Sequence, residues 1–174
     1  MANLLFSPTG RIGPGAYLKG SIIVGVIGAL LALTGYINVL IFSFAVLISF
    51  LLIIPFIMLS IKRAHDAGKS GWFSLIFLAI ATAIYFGVSF LMTIVGLAPS
   101  TADQKESQEI LKEAQSSGDV AEMLAIMSDV LGPLILPTAI IMFLTPVVAA
   151  FVVNLFIKSD GHDNQFGPAT TGDS

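Results

Sequence analysis

Lys62-Arg63-Ala64-His65-Asp66-Ala67-Gly68-Lys69-Ser70-Gly71-Trp72 is a dense polar island between two apolar runs, residues 39–61 and 72–97. It holds three of the eight basic residues, one of the two histidines and the only tryptophan. A helix crosses ~30 Å of hydrocarbon with ~20 apolar residues, so each flanking run is long enough to span a bilayer. The island therefore sits at one membrane face, and the runs on either side of it cross in opposite directions. The rest of the chain agrees with a membrane setting. Of its 174 residues 56% are hydrophobic and 11% charged, with a mean hydropathy of +0.94. Soluble domains hold nearer ~45–50% apolar residues.

Working outward, residues 17–34 form a first spanning run, provided Lys19 snorkels to the interface. Ser21, Gly25 and Ala29 recur every four residues, a small-residue ridge that lets another helix approach closely. The short Thr34-Gly35-Tyr36-Ile37-Asn38 link makes the first two spans an antiparallel hairpin. Pro55 should bend the second span, because it lacks an N–H and its ring clashes with the preceding turn. Lys62 and Arg63 complement the negative end of the helix dipole. Gly68 is placed to end the helix in a left-handed conformation, and Ser70 to cap the next one. Trp72 suits the interface.

Beyond residue 97 the composition changes. Asp103, Glu106, Glu109, Glu113, Asp119, Glu122 and Asp129 face only Lys105 and Lys112, which predicts a solvated acidic connector over residues 100–132. In its second half Asp119 and Glu122 form a capping box. Val120, Met123, Leu124, Met127 and Leu131 then follow on one face of an amphipathic helix, which Gly132-Pro133 should close. A last span covers residues 134–157, with Pro137 and Pro146 tolerated because neighbouring helices re-satisfy the freed carbonyls. The head, residues 1–15, and the tail, residues 158–174, are short and polar, and the tail should be mobile without a partner. The fold class expected is all-α: a single polytopic membrane domain with four transmembrane helices and an outward-facing amphipathic helical connector between helices 3 and 4. The first apolar run is long and followed by more spans, so it reads as an uncleaved helix rather than a signal peptide.

Four crossings put both ends of the chain on the side of the island. That side carries Arg11, Lys19, Lys62, Arg63, Lys69 and Lys158 against two lysines in the connector, so the positive-inside rule makes it cytoplasmic. Three segments distant in sequence would then share one surface. The candidate cytoplasmic binding surface is Arg11, Lys62, Arg63, His65, Asp66, Gly68, Lys69, Ser70, Gly71, Trp72, Asn164, Phe166 and Gly167.

Chemistry at this surface has competing readings. His65 and Asp66 next to Arg63 offer a general acid/base pair. Adjacent residues on a helix point about 100° apart, however, and Asp66 is better placed to pair with Arg63 or Lys62 one turn back. His65, Asp66, His162 and Asp163 have metal-binding atoms at a spacing that fits no metal pattern, and Gly68-Lys69-Ser70 lacks the first glycine and strand of a phosphate loop. Without cysteine there is no disulfide, thiolate ligand or thiol nucleophile. No cofactor, metal or nucleic-acid partner is expected. The span interiors carry no ionisable residue, which disfavours ion-coupled transport. Asn154 and Tyr85 are the strongest polar groups at depth. The basic residues with Trp72 could bind anionic headgroups, each cation near the surface adding ~1 kcal/mol.

The island, preceded by Ile54-Pro55, resembles the basic-x-His-Asp-x-Gly-x-Ser-Gly-Trp signature of the "domain of unknown function 805" family of small bacterial inner-membrane proteins. The head, from Phe6 through Gly10-Arg11-Ile12 to Tyr17, is similar to the family's opening, and Asn164-Gln165-Phe166-Gly167-Pro168 to its ending. The long acidic connector departs from the short family pattern. The resemblance implies a location and a topology and brings no activity with it. The reading that follows is a binding or scaffolding element whose partners are membrane lipids, a protein or further copies of itself. A small transporter or channel component is the alternative, and a membrane enzyme using His65 and Asp66 the third.

Overall fold

The computed structural model describes residues 2–97, 101–117 and 119–170. Ser100, the first residue of the predicted connector, and residues 171–174 of the predicted tail lie outside the described residues. Among these described residues eight α-helices follow one another: α1 Ala2–Phe6, α2 Pro14–Leu33, α3 Val39–Ser49, α4 Ile53–Asp66, α5 Ser74–Ile94, α6 Thr101–Ser117, α7 Val120–Leu131 and α8 Ile135–Phe156. Among the described residues there is no strand, only an isolated bridge between Asn164 and Gly167. Four helical runs are long and apolar enough to cross a membrane: Pro14–Tyr36, Val39–Asp66, Gly71–Ile94 and Val120–Phe156. The protein is an all-α polytopic membrane protein. Large apolar side chains such as Leu30, Phe44, Phe86 and Phe90 cover its outside, as hydrocarbon requires.

The main interfaces set α8 against α2 and α5. In hydrocarbon no hydrophobic force joins helices, so close approach has to supply the attraction. Gly25 provides it: a Cβ there would stand 2.8 Å from the Phe143 carbonyl oxygen and 3.3 Å from the Pro146 ring. The ridge expected from Ser21 and Gly25 is thus a packing surface, and both residues are buried. It is continued by Gly28, also buried, more than by the half-buried Ala29. Glycine and proline meet here, the missing Cβ of Gly25 leaving room for the Pro146 ring. The core sits toward the polar end, where Tyr17, Val24, Leu59, Phe77, Ala150 and Val153 interlock.

Proline acts upstream of its own position in the second crossing. The ring of Pro55 would clash with the carbonyl four residues back, and the run tightens to a 3₁₀ turn at Phe50–Leu52 before α4 resumes. At the polar end, α4 continues through Asp66, so the first residues of the island, placed by the sequence in a loop over 62–71, form its last turn. Gly68 adopts φ +68°. Its N–H reaches the His65 carbonyl at 3.0 Å and the Lys69 N–H reaches Ala64 at 2.9 Å, the paired bonds of a Schellman ending. Ser70 then accepts from the Trp72 N–H and starts the turn Gly71–Phe73 that leads into α5.

The solvated connector is helical in its first half as well, as α6, because residues 101–117 contain neither glycine nor proline and are rich in Glu, Gln, Lys and Ala. Gly132-Pro133 closes α7 at Leu131, but only with one 3₁₀ turn, Gly132–Leu134, whose proline lies where no N–H is needed, so that helix resumes at once as α8. The combined run Val120–Phe156 has 37 residues, ~55 Å at 1.5 Å each against ~30 Å of hydrocarbon. The run is thus longer than one crossing needs, and α6 folds against its α7 end. In the head, α1 forms and α2 begins at Pro14 instead of residue 17, with proline at the helix start.

Candidate functional site

At the polar end the head, the end of α4 and the chain after α8 converge on one carboxylate. Asp66 is the last residue of α4, with a fully buried side chain. One oxygen accepts from Arg11 at 3.2 and 3.3 Å and from the Thr170 hydroxyl at 2.6 Å. The other accepts from Arg63, one turn earlier, at 2.7 Å. The same-helix pair is the Arg63 alternative that helix geometry favoured. Lys62 goes elsewhere, donating to the Leu4 carbonyl of α1.

Arg11, from the head, binds two other segments at once, the end of α4 and the chain after α8. Besides Asp66 it donates to the carbonyls of His162 at 2.8 Å, Gly167 at 3.2 Å and Asp160. Arg63 donates to Asn154 at 3.0 Å, to Ser159 at 3.2 Å and to the carbonyl of Ile157. Asn154 passes the link on, its amide donating to the Pro14 carbonyl at 3.0 Å, so a polar group at depth does bond across helices. The backbone adds Asp160 N–H to the Asp66 carbonyl at 2.7 Å and Ile12 N–H to the Lys62 carbonyl at 3.4 Å. A guanidinium has five donors and no acceptor. Both of these are used against carboxylate and carbonyl oxygens, which is what makes burying them tolerable.

The predicted surface therefore divides. Arg11, Lys62, Arg63 and Asp66 are not surface residues, because their side chains are consumed in this knot. The tail, expected to be mobile, is held through residue 170 by Arg11, Arg63 and Asp66. Asn164 turns it: its side chain accepts from Phe166 N–H at 3.0 Å and donates to the His65 carbonyl at 3.1 Å. Gly167 takes φ +138°, open only to glycine, and closes the turn with Asn164. Phe166 lies flat on the His65 ring, centroids 3.9 Å apart and planes 4° from parallel. The other face of this histidine's chemistry is equally local, with Nδ1 3.2 Å from the Gly10 carbonyl. His65 and Asp66 thus point to different partners and make no acid/base pair.

His162 and Asp163 do not join them. The His162 side chain is 94% exposed and lies 3.7 Å from Asp160, and Asp163 accepts from the Ala169 N–H at 2.9 Å. Asp160 is held below the usual carboxylate range, first by the His162 N–H, then by the Asn164 amide and the Arg11 charge. The residues left facing outward are Lys69, Ser70 and Trp72, with Gly68 on the turn between them and Gly71 half-buried behind. Trp72 is 81% exposed. Lys19 and Lys158 are exposed at the same end of the bundle.

Sequence reasoning missed Ser159, Asp160 and Thr170, whose only signal is tertiary: they matter because the chain after α8 folds back over α4. A family profile matches residues 5–108, more than half of the chain, including most of the head and the whole island and ending inside α6. No curated protein and no solved structure matches the chain. That match spans both segments whose arginines and aspartate tie the knot, and the chain belongs to the family described as "Protein of unknown function (DUF805)".

Proposed function

We propose that this is a bacterial inner-membrane protein with both termini in the cytoplasm, a binding or scaffolding element whose cytoplasmic end engages anionic lipid headgroups. One observation carries the reading: the basic residues at that end fall into two sets. Arg11, Lys62 and Arg63 are buried in the knot, while Lys19, Lys69 and Lys158 are exposed, together with Trp72. Of the acids at that end, Asp66 is buried between Arg11 and Arg63, Asp160 accepts from the His162 N–H and the Asn164 amide, and the exposed Asp163 accepts from a backbone N–H. Among the described residues the exposed lysines of the rim outnumber this one exposed acid. An indole prefers the headgroup level, and three interfacial cations contribute ~3 kcal/mol, about a hundredfold in affinity for an anionic surface. The knot keeps the rim in place, since head and tail cannot drift while Arg11 holds both.

The test is lipid retention. Purified protein carrying Lys19→Gln, Lys69→Gln and Lys158→Gln together should lose its preference for phosphatidylglycerol over phosphatidylcholine in mixed nanodiscs, read by native mass spectrometry. An unchanged preference removes the proposal. Orientation has its own test, made clean by the absence of cysteine. In intact cells an impermeant maleimide should label Gln108→Cys on α6 and spare Gln165→Cys in the tail; the reverse pattern would put the rim outside.

A further inference from the structure

We infer that this protein holds one anionic phospholipid at a defined place, its headgroup at the Lys69–Trp72 turn and one acyl chain in a cleft between α4, α5 and α8. The inference rests on the headgroup reading above and adds the site and the ligand's second half. A cleft of about 430 Å³ opens sideways from the bundle at mid-span, with Val24, Phe56, Ala81 and Pro146 among its walls. Two prolines belong to its surroundings: the 3₁₀ turn before Pro55 forms one wall and the Pro146 ring of α8 part of another.

The chemistry of the occupant follows from position. The cleft lies between membrane-spanning helices, its lining is almost wholly apolar, and exposed Phe50, Ile53 and Phe86 stand at its mouth. Water has no hydrogen-bond partners to hold it in such a space, and an empty one forfeits contact on every wall. Hydrocarbon is the medium at that depth. What singles out a phospholipid chain is the register along α5. Leu75, Leu78, Thr82 and Phe86 lie three or four residues apart on one face, and Leu78, Thr82 and Phe86 line the cleft. Followed toward the polar end, that face leads to the exposed Trp72 and Lys69. Thr82 is ten residues beyond Trp72, ~15 Å of helix and so about half of the ~30 Å hydrocarbon thickness. A chain whose phosphate meets Lys69 reaches the cleft with its middle carbons.

The experiment uses the full chain in vesicles doped with a phosphatidylglycerol or a phosphatidylcholine probe bearing a diazirine at mid-chain, with crosslinks mapped by mass spectrometry. The phosphatidylglycerol probe should label the Thr82 to Phe86 segment and the facing part of α8 above the remaining lipid-exposed surface. Lys69→Gln should cut that labelling about fivefold and leave the phosphatidylcholine probe unaffected. Thr82→Trp, at an exposed cleft position, should abolish cleft labelling by both probes while the phosphatidylglycerol preference of the whole protein in nanodiscs persists. Leu78→Trp serves the same purpose if Thr82→Trp fails to insert. Equal labelling by both probes, or labelling indifferent to Lys69, would make the cleft a general apolar recess and overturn the inference. Labelling spread evenly over the surface would overturn it too. An unchanged nanodisc preference in the rim variant would instead strike at the headgroup reading.

Discussion

Replacing Asp66 is the most direct challenge to the knot. Its carboxylate is 0% exposed, and the side chains of Arg11 and Arg63 are 2% and 1% exposed. At that burial the relevant scale is the ~3–5 kcal/mol lost when one member of a buried ion pair is removed, not the ~0–1 kcal/mol of a surface pair. Asp66→Ala leaves two guanidinium groups facing each other with no carboxylate between them. Asp66→Asn keeps the volume and one acceptor oxygen and should cost about 1.5–3 kcal/mol. The loss falls on the head and tail, because the spans are held by helix packing while residues 158–170 are held by this network. For Asp66→Ala the fraction of time the tail is detached should rise by roughly two to three powers of ten. Hydrogen exchange resolved to residues 159–170 reads that fraction, since the Asp160 N–H donates to the Asp66 carbonyl and the Gly167 N–H closes the tail turn. Lys69→Ala, on the exposed rim, should leave the exchange unchanged. Arg11→Met combined with Asp66→Asn should cost clearly less than the sum of the single changes, as coupled groups do. Tail exchange within a few-fold of wild type in an inserted Asp66→Ala protein would refute the reasoning, because the tail would then be held by something else.

Two further outcomes follow from the same geometry. Gly25→Ala should destabilise the bundle by about 1–3 kcal/mol, seen as a lower unfolding midpoint in detergent, because its methyl would meet a backbone carbonyl that cannot rotate away; Gly87→Ala, with nothing within 4 Å, is the neutral control. Acid should loosen the tail. The carboxyl of Asp160 is held below its ordinary range in the folded protein, so its contribution is complete above that range and disappears as pH falls through the lowered value. Tail exchange, corrected for intrinsic rates, should rise over that window, and Asp160→Asn should remove the rise.

Much of the architecture could be read from the chain alone because hydrocarbon imposes one-dimensional rules. Length and hydropathy marked four crossings, glycine spacing marked the face of α2 that packs, and Gly68 and Ser70 marked where one helix ends and the next turn begins. Residues 101–117 read from their charge only as a solvated stretch, and their helix rests on the same residues being strong helix formers. Gly132-Pro133 marked the end of α7 but not that helix resumes after one 3₁₀ turn, since a proline in a first turn needs no N–H.

The polar end needed the tertiary structure. From the sequence Arg11, Arg63 and Lys69 are alike, basic residues at one membrane face, and nothing local separates a cation that is buried from one that stays in the headgroups. The difference arises because the chain after α8 returns across the end of α4 and supplies carbonyls to two of the three. Hydropathy and spacing act along the chain, and they settled how many times it crosses and where it turns. Burial of a charge depends on which distant oxygens arrive beside it, and only the folded bundle decides that.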